Sequence, residues 1–235
     1  MVFNIWQTKN NNGQQKLIKN VRKGKRMELL NYSLRVGDKQ LLHDVNITFA
    51  KQQIHHVLGS NGVGKSCFAK SCVGLLPYDG VIQHKDGAAL IGSSSNVPNE
   101  FSVRDILKEL HKKFEQSQIE MLYGLLKIDN ISDKLPLAKM SDGQKQKVKL
   151  LCFLASKPKI IILDEFTTAL DKSSSLDLYA FLNEYIKTNE VTILNITHNL
   201  SDLEHMPGKY YFISDCEMQE VDSKEKVIGK YIKGE

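Results

Sequence analysis

Three short stretches carry side chains that could act together on a phosphate. The first is GSNGVGKS at 59–66, which matches G-x-x-x-x-G-K-[ST], follows a strand-like run and opens a helix-capable one. Gly62 and Gly64 let the backbone turn its amides inward around phosphate oxygens, and the start of the following helix adds partial positive charge. Lys65 would bring a full charge to the β and γ phosphates, and the Ser66 hydroxyl would be a ligand for Mg²⁺. The second stretch is IIILDEF, in which Asp164 and Glu165 end a wholly apolar run. That end of a buried parallel strand is where α/β sheets bind ligands. Asp164 suits holding Mg²⁺ through water, and Glu165 suits polarising an attacking water as general base. The third is His198, which closes ILNITH beside the same edge. Taken singly, an Asp-Glu pair after a strand can be a helix cap, and a lone histidine can be a satisfied loop residue. Together with the phosphate loop they describe a site for nucleotide hydrolysis.

The elements that must position these residues are legible as patterns. Strand-like runs come first (ELLNYSLRV, LLHDVNITF, QIHHVL), then a helical stretch over 65–76 ended by Pro77, then GVIQH and AALIG. Residues 101–128 are helical in period, with Val103, Ile106, Leu107 and Leu110 on one stripe. IIILD reads as a buried parallel strand, followed by a helix over 172–187, the strand VTILNITH, the strand YYFIS and a last short helix. Alternating strands and helices with antiparallel strands in front predict an α/β fold with a mixed sheet.

Composition bounds the rest. The chain has 235 residues, 41% apolar and 25% charged, enough for one substantial core with a small subdomain. Cys67, Cys72, Cys152 and Cys216 show neither C-x-x-C pairing nor zinc spacing, as expected of thiols in a reducing compartment. The apolar runs are too short for a membrane span, and no secretory h-region opens the chain, so cytoplasmic residence is expected. The net charge of +5 resides in residues 1–26, which hold seven basic and no acidic side chains. This tail could touch nucleic acid or anionic lipid, or be a disordered leader ahead of a true start at Met27.

One further stretch, MSDGQKQ at 140–146, contains no group able to do chemistry by itself. Ser141 and Gln144 have capping-box spacing, and Val148, Leu151, Cys152 and Ala155 follow on one helical face, so it reads as a helix start. In order along the chain, however, GSNGVGKS, MSDGQ, IIILDE, TALD (168–171) and His198 resemble the Walker A, signature, Walker B, D-loop and switch histidine of the ATP-binding-cassette (ABC) ATPases. The resemblance implies a P-loop NTPase cassette of ABC type with a mixed sheet core, an antiparallel β subdomain and a short α-helical subdomain at 93–139. The whole is one domain over 27–235, with core and β subdomain drawn from 27–92 and 140–235. It implies ATP and Mg²⁺ as cofactors, a nucleotide cradle of Gly59, Ser60, Asn61, Gly62, Val63, Gly64, Lys65, Ser66 and Cys67, and Asp171 in the D-loop. It also implies that Ser141, Asp142, Gly143 and Gln144 complete the active site of a second ATPase subunit, homologous or identical. Integral-membrane permease subunits would hold the pair at the inner face of the membrane, and nucleic acid is not an expected partner.

The sequence departs from the family pattern at three places. Ser93, Ser94 and Ser95 stand where a glutamine is expected, Val36 stands near the place of an adenine-stacking aromatic with Tyr32 four residues too early, and Asp142 replaces a signature glycine. A serine reaches less far toward a metal, a valine lacks a π-face, and an added carboxylate repels phosphate unless it points aside. The reading carried forward is the ATPase subunit of an ABC transporter, with a compact cassette pointing to export of a peptide, antibiotic or lipid-like compound. Its rivals are a soluble ABC-type ATPase acting on nucleic acid or ribosomes, for which the tail is the sole argument, and a weakly hydrolysing ATP-gated module.

Overall fold

The computed structural model describes residues 26–92, 95 and 97–234; the basic stretch 1–25 and residues Ser93 and Ser94 lie outside them. Two sheets organise these residues. A three-stranded antiparallel sheet, ordered β2-β1-β4, is made of β1 (Met27–Val36), β2 (Lys39–Phe49) and β4 (Asp79–Gln83). A six-stranded sheet, ordered β5-β6-β7-β3-β8-β9, contains β3 (Gln53–Gly59), β5 (Ala88–Gly92), β6 (Ile160–Asp164), β7 (Thr192–Ile196), β8 (Lys209–Ser214) and β9 (Glu217–Val221). Its first five strands are parallel and β9 returns antiparallel. The fold is thus the α/β cassette with a mixed sheet and an antiparallel β layer.

The central strands are apolar along their whole length because both faces are covered. Successive side chains of β6 point to opposite faces. Ile161 and Leu163 pack with Val148 and Leu151 of α4 (Asp142–Leu154) and with Leu178 and Leu182 of α5 (Lys172–Thr188). Ile160 and Ile162 pack with Phe68 and Ala69 of α1 (Lys65–Cys72) and with Leu29, Leu42 and Phe49 of the three-stranded sheet. A smaller cluster seats α7 (Lys224–Lys233) through Val227 against Leu58, Phe212 and Val221.

Four elements differ from the sequence expectation. The first helix ends at Cys72 and not at Leu76, because Gly74 adopts a left-handed conformation (φ +76°). Its amide bonds the Ser71 carbonyl while the Leu75 amide bonds that of Lys70, both at 2.9 Å, closing the helix before Pro77 is reached. The periodic run at 101–128 is two helices, α2 (Val103–Leu110) and α3 (Gln116–Leu125), separated by a turn. The structure also has β9 and α6 (Leu200–His205), whose patterns are short and mostly polar.

His55 of β3 is fully buried, with the rings of Phe49 and Tyr211 at 5.2 and 5.7 Å. Burial lowers its pKa from the ordinary 6.5 to about 4, so the ring is neutral, Nε2–H donating to the Ala50 carbonyl at 2.9 Å and Nδ1 facing the Tyr211 hydroxyl at 3.2 Å. Because the folded value lies below the unfolded one, the stability this ring contributes is complete above pH 6.5 and is lost as pH falls from 6.5 toward 4. The slope from one such group is at most about 1.4 kcal/mol per pH unit. Thermal melts between pH 7 and pH 4 are expected to show a shallower decline for His55→Gln than for the unaltered chain. Equal slopes would contradict this reading of His55.

Candidate active site

The strand order β6-β7-β3 brings three connections to one edge of the parallel sheet. The loop after β3 is the glycine loop. Gly62 and Gly64 take φ of +79° and +114°, values that suit glycine and turn the chain into α1. A Cβ at Gly64 would also lie 3.0 Å from Leu41, so backbone and neighbour agree on the residue. Ser60, Asn61 and Gly62 are exposed along the loop, whereas Val63 and Cys67 are partly buried against the core beneath.

Lys65 is only 6% exposed, and its ammonium donates to the carbonyls of Gly59 at 2.7 Å and Ser60 at 3.0 Å. Burial pulls its pKa down from the ordinary lysine value, opposed by Glu165 and Asp164. Asp164 ends β6 at 4% exposure and accepts a hydrogen bond from the Ser66 hydroxyl, Oγ to Oδ1 3.0 Å. Burial raises the Asp164 pKa, and the Ser66 bond offsets part of that. Next to it Glu165 takes a left-handed backbone (φ +52°), with its amide on the Ile196 carbonyl at 2.9 Å. For a non-glycine residue this conformation is uncommon and is held by its surroundings. Its Oε1 lies 3.2 Å from Nδ1 of His198, in the bend after β7. Thus Lys65, Ser66, Asp164, Glu165 and His198, far apart in the chain, meet at one edge.

The Ser66 hydroxyl and the Asp164 carboxylate are hard oxygen donors side by side, and such a pair fits Mg²⁺, which keeps several waters and takes its remaining ligands from phosphate. Among the described residues no group of three or more His, Cys, Asp or Glu side chains could cage a metal without a nucleotide.

The signature segment forms the expected cap. Ser141 Oγ accepts from the Gln144 amide at 3.3 Å, and Gln144 Oε1 accepts from the Ser141 amide at 3.0 Å. Asp142 pairs with Lys145 at 3.3 Å. These contacts stay within the start of α4, and among the described residues none reaches the glycine loop of the same chain. Asp171 caps α5, accepting from the amide and hydroxyl of Ser174, each at 2.9 Å. Gly143 fits between the two caps: a Cβ there would lie 2.7 Å from Cβ of Ser174.

At the departures from the family pattern, Tyr32 is a core residue, its hydroxyl 2.6 Å from Ser71 Oγ and its ring between Phe68 and Tyr78. Val36 is 44% exposed, and its strand partner Lys39 donates to the Gly62 carbonyl at 3.2 Å. Ser95 is buried, and its hydroxyl is engaged with the Gly92 backbone. Sequence reasoning passed over Gln146, whose Nε2 donates to the Phe166 carbonyl at 3.1 Å, and Asp202. Gln146 lies just beyond the signature and could have been noticed; Asp202 carries no local signal.

Residues 42–168 match the family model described as ABC transporter. The chain belongs to the ABC transporter ATP-binding family. Members are transport-coupled ATPases, and this chain is one of them. It is 44% identical over 209 residues to a Bacillus subtilis protein named "Probable peptide export ATP-binding protein YydI", covering 88% of this chain and 99% of that one. It is 30% identical over 186 residues to the energy-coupling factor transporter ATP-binding protein EcfA of Pediococcus pentosaceus, covering 71% and 66%. The solved structure of CbiO1 from Clostridium perfringens, part of the ABC transporter complex CbiONQ, superposes with a TM-score of 0.75 at 20% identity, covering 89% of this chain and 93% of that one. That likeness shows the fold.

The close approach of α4 and α5 at Gly143 is testable. Gly143→Ala should destabilise the ABC cassette by about 1–3 kcal/mol through overpacking. In a double-mutant cycle with Ser174→Gly, urea unfolding should show sub-additive losses. Strictly additive losses would mean that the Ser174 contact is not what requires the glycine.

Proposed function

We propose that this chain is the ATP-hydrolysing subunit of a peptide exporter, working as one of a pair of cassettes on the inner face of a membrane. The observation that carries the export reading is the 44% identity over almost the whole length of a relative named for peptide export. Other relatives are named for uptake, such as the methionine import protein MetN of Clostridioides difficile at 25% identity. No described helix is long and apolar enough to cross a bilayer, so the membrane passage would belong to separate permease subunits.

In this reading the amides of residues 59–67 surround the phosphate tail, and Lys65 exchanges its carbonyl partners for the β and γ oxygens. The desolvated ammonium then gains the countercharge that its surroundings supply only in part. A Mg²⁺ entering with the nucleotide would be held by Ser66 and, through water, by Asp164, and it would neutralise charge on the β and γ oxygens. Glu165 orients and deprotonates the attacking water, and His198, in contact with Glu165, holds that carboxylate and the γ-phosphate in register. Val36 offers the base apolar contact without stacking.

The second cassette supplies Ser141, Gly143 and the start of α4. In the single chain the hydrogen bonds between Ser141 and Gln144 stay within the start of α4, and the helix start presents amides to an anion. Asp142 is drawn aside by Lys145, which lessens its repulsion of phosphate. The helical subdomain containing α2 and α3, with Met121 and Leu125 exposed on α3, meets the permease.

Replacing Glu165 by Gln in the producing cell tests the function. Steady-state hydrolysis by the purified subunit should fall by about 10²-fold or more while ATP binding persists. Mass spectrometry of the culture medium should show loss of one or more short peptides that accumulate inside. An unchanged peptide profile with impaired uptake of a nutrient would overturn the export reading.

A further inference from the structure

Beneath the Glu165–His198 pair lies a carboxylate to which the reaction assigns no task. Asp202, in the first turn of α6, is completely buried. Its Oδ1 accepts from the Thr167 hydroxyl and the Tyr179 hydroxyl, both at 2.7 Å, and its Oδ2 accepts from Asn195 Nδ2 at 3.0 Å. Asn199 Nδ2 adds weaker bonds to the same two hydroxyls, at 3.4 Å to Thr167 and 3.5 Å to Tyr179. Asn195 also donates to Nδ1 of His56 at 3.2 Å, and the opposite nitrogen of that ring donates to the Met206 carbonyl at 2.8 Å. A buried acid is tolerated only when its lone pairs are filled, and here hydroxyl and amide donors fill them.

The position of these donors is informative. Thr167 stands two residues after Glu165, and Asp202 stands four residues after His198. Tyr179 comes from α5, the helix that Asp171 caps. One carboxylate therefore ties together the segment after β6, the segment after β7 and the helix after the D-loop. The Glu165–His198 contact needs such a tie. Both side chains are more than a third exposed, and an exposed pair of this kind holds geometry weakly. Glu165 also occupies a left-handed backbone that persists only where neighbouring contacts impose it. Hydrogen bonds to a buried charged acceptor are stronger than neutral ones and can impose it.

We propose that Asp202 is a positioning residue for hydrolysis: through Thr167 it holds the Glu165 loop in register with His198. The proposal rests on the reading of Glu165 as general base, and the test keeps the two apart. Thr167→Val removes the hydroxyl and keeps the shape, and Thr167→Ser restores it. Tyr179→Phe removes another donor from the same carboxylate while the Thr167 hydroxyl keeps its own bond to Asp202.

In single-turnover hydrolysis by the full-length chain, Thr167→Val should lower the rate constant for cleavage about tenfold, equivalent to ~1.4 kcal/mol of barrier. ATP affinity should stay within about twofold, since the phosphate loop is untouched. Thr167→Ser should recover the rate, and Tyr179→Phe should lower the melting temperature while leaving the rate within about twofold. If the valine variant does not fold, Asp202→Asn, which leaves Thr167 an amide acceptor weaker than the carboxylate, should lower the rate in the same direction at unchanged affinity. A wild-type rate for Thr167→Val, an equal loss for Thr167→Ser, or a loss that tracks melting temperature across all variants would overturn the proposal. Undiminished cleavage by Glu165→Gln would instead remove the reading of Glu165 beneath it.

Discussion

A lysine and an aspartate, both almost withdrawn from water, face the same small volume where parallel strands end. Each pays a desolvation penalty that shifts its pKa toward the neutral form. In the chain alone the partners are modest: two carbonyls for Lys65 and one hydroxyl for Asp164. The site is thus built in a state that a polyphosphate and its cation would relieve, and whatever binds the folded chain preferentially also stabilises it. The rest of the architecture serves to hold these groups there. Both faces of the parallel sheet are sealed, so the strands cannot slide, and the strand order converts distant stretches of sequence into neighbours.

The start of α4 shows how a segment without chemistry can belong to a site. Its capping box fixes the direction of the helix, Gly143 lets it lie against the start of α5, and Asp171 fixes that second helix in turn. The two caps form one corner, and among the described residues none of their hydrogen bonds reaches the glycine loop of the same chain. A corner of this kind suits a partner's phosphate, and it explains why small residues gather at 141–143.

What was legible in the sequence was whatever local chemistry enforces. A glycine loop needs φ values that few residues adopt, a capping box needs its serine and glutamine three apart, and a doubly covered strand must be apolar throughout. Those features were readable without a structure. The end of α1 was misplaced because Pro77 is the more conspicuous signal, although Gly74 acts three residues earlier through the backbone. β9 escaped notice because three of its five residues, Glu217, Gln219 and Glu220, are polar and exposed. The Asp202 network could not be read at all: its donors come from 167, 179 and 195, and only the folded topology brings them to one carboxylate. Tyr32 shows the converse, an aromatic close to an expected ligand position that the pleat directs into the core.

The central claim is that a triphosphate is clamped between Lys65 of one chain and the Ser141 helix of another. Analytical ultracentrifugation of the Glu165→Gln chain, with saturating Mg-ATP and without nucleotide, tests it most directly. The account predicts a monomer in the absence of nucleotide and a stable pair of cassettes with Mg-ATP, abolished when Ser141 is replaced by Arg. A chain that binds Mg-ATP yet sediments as a monomer, alone and with any homologous ATPase subunit made beside it, would contradict it.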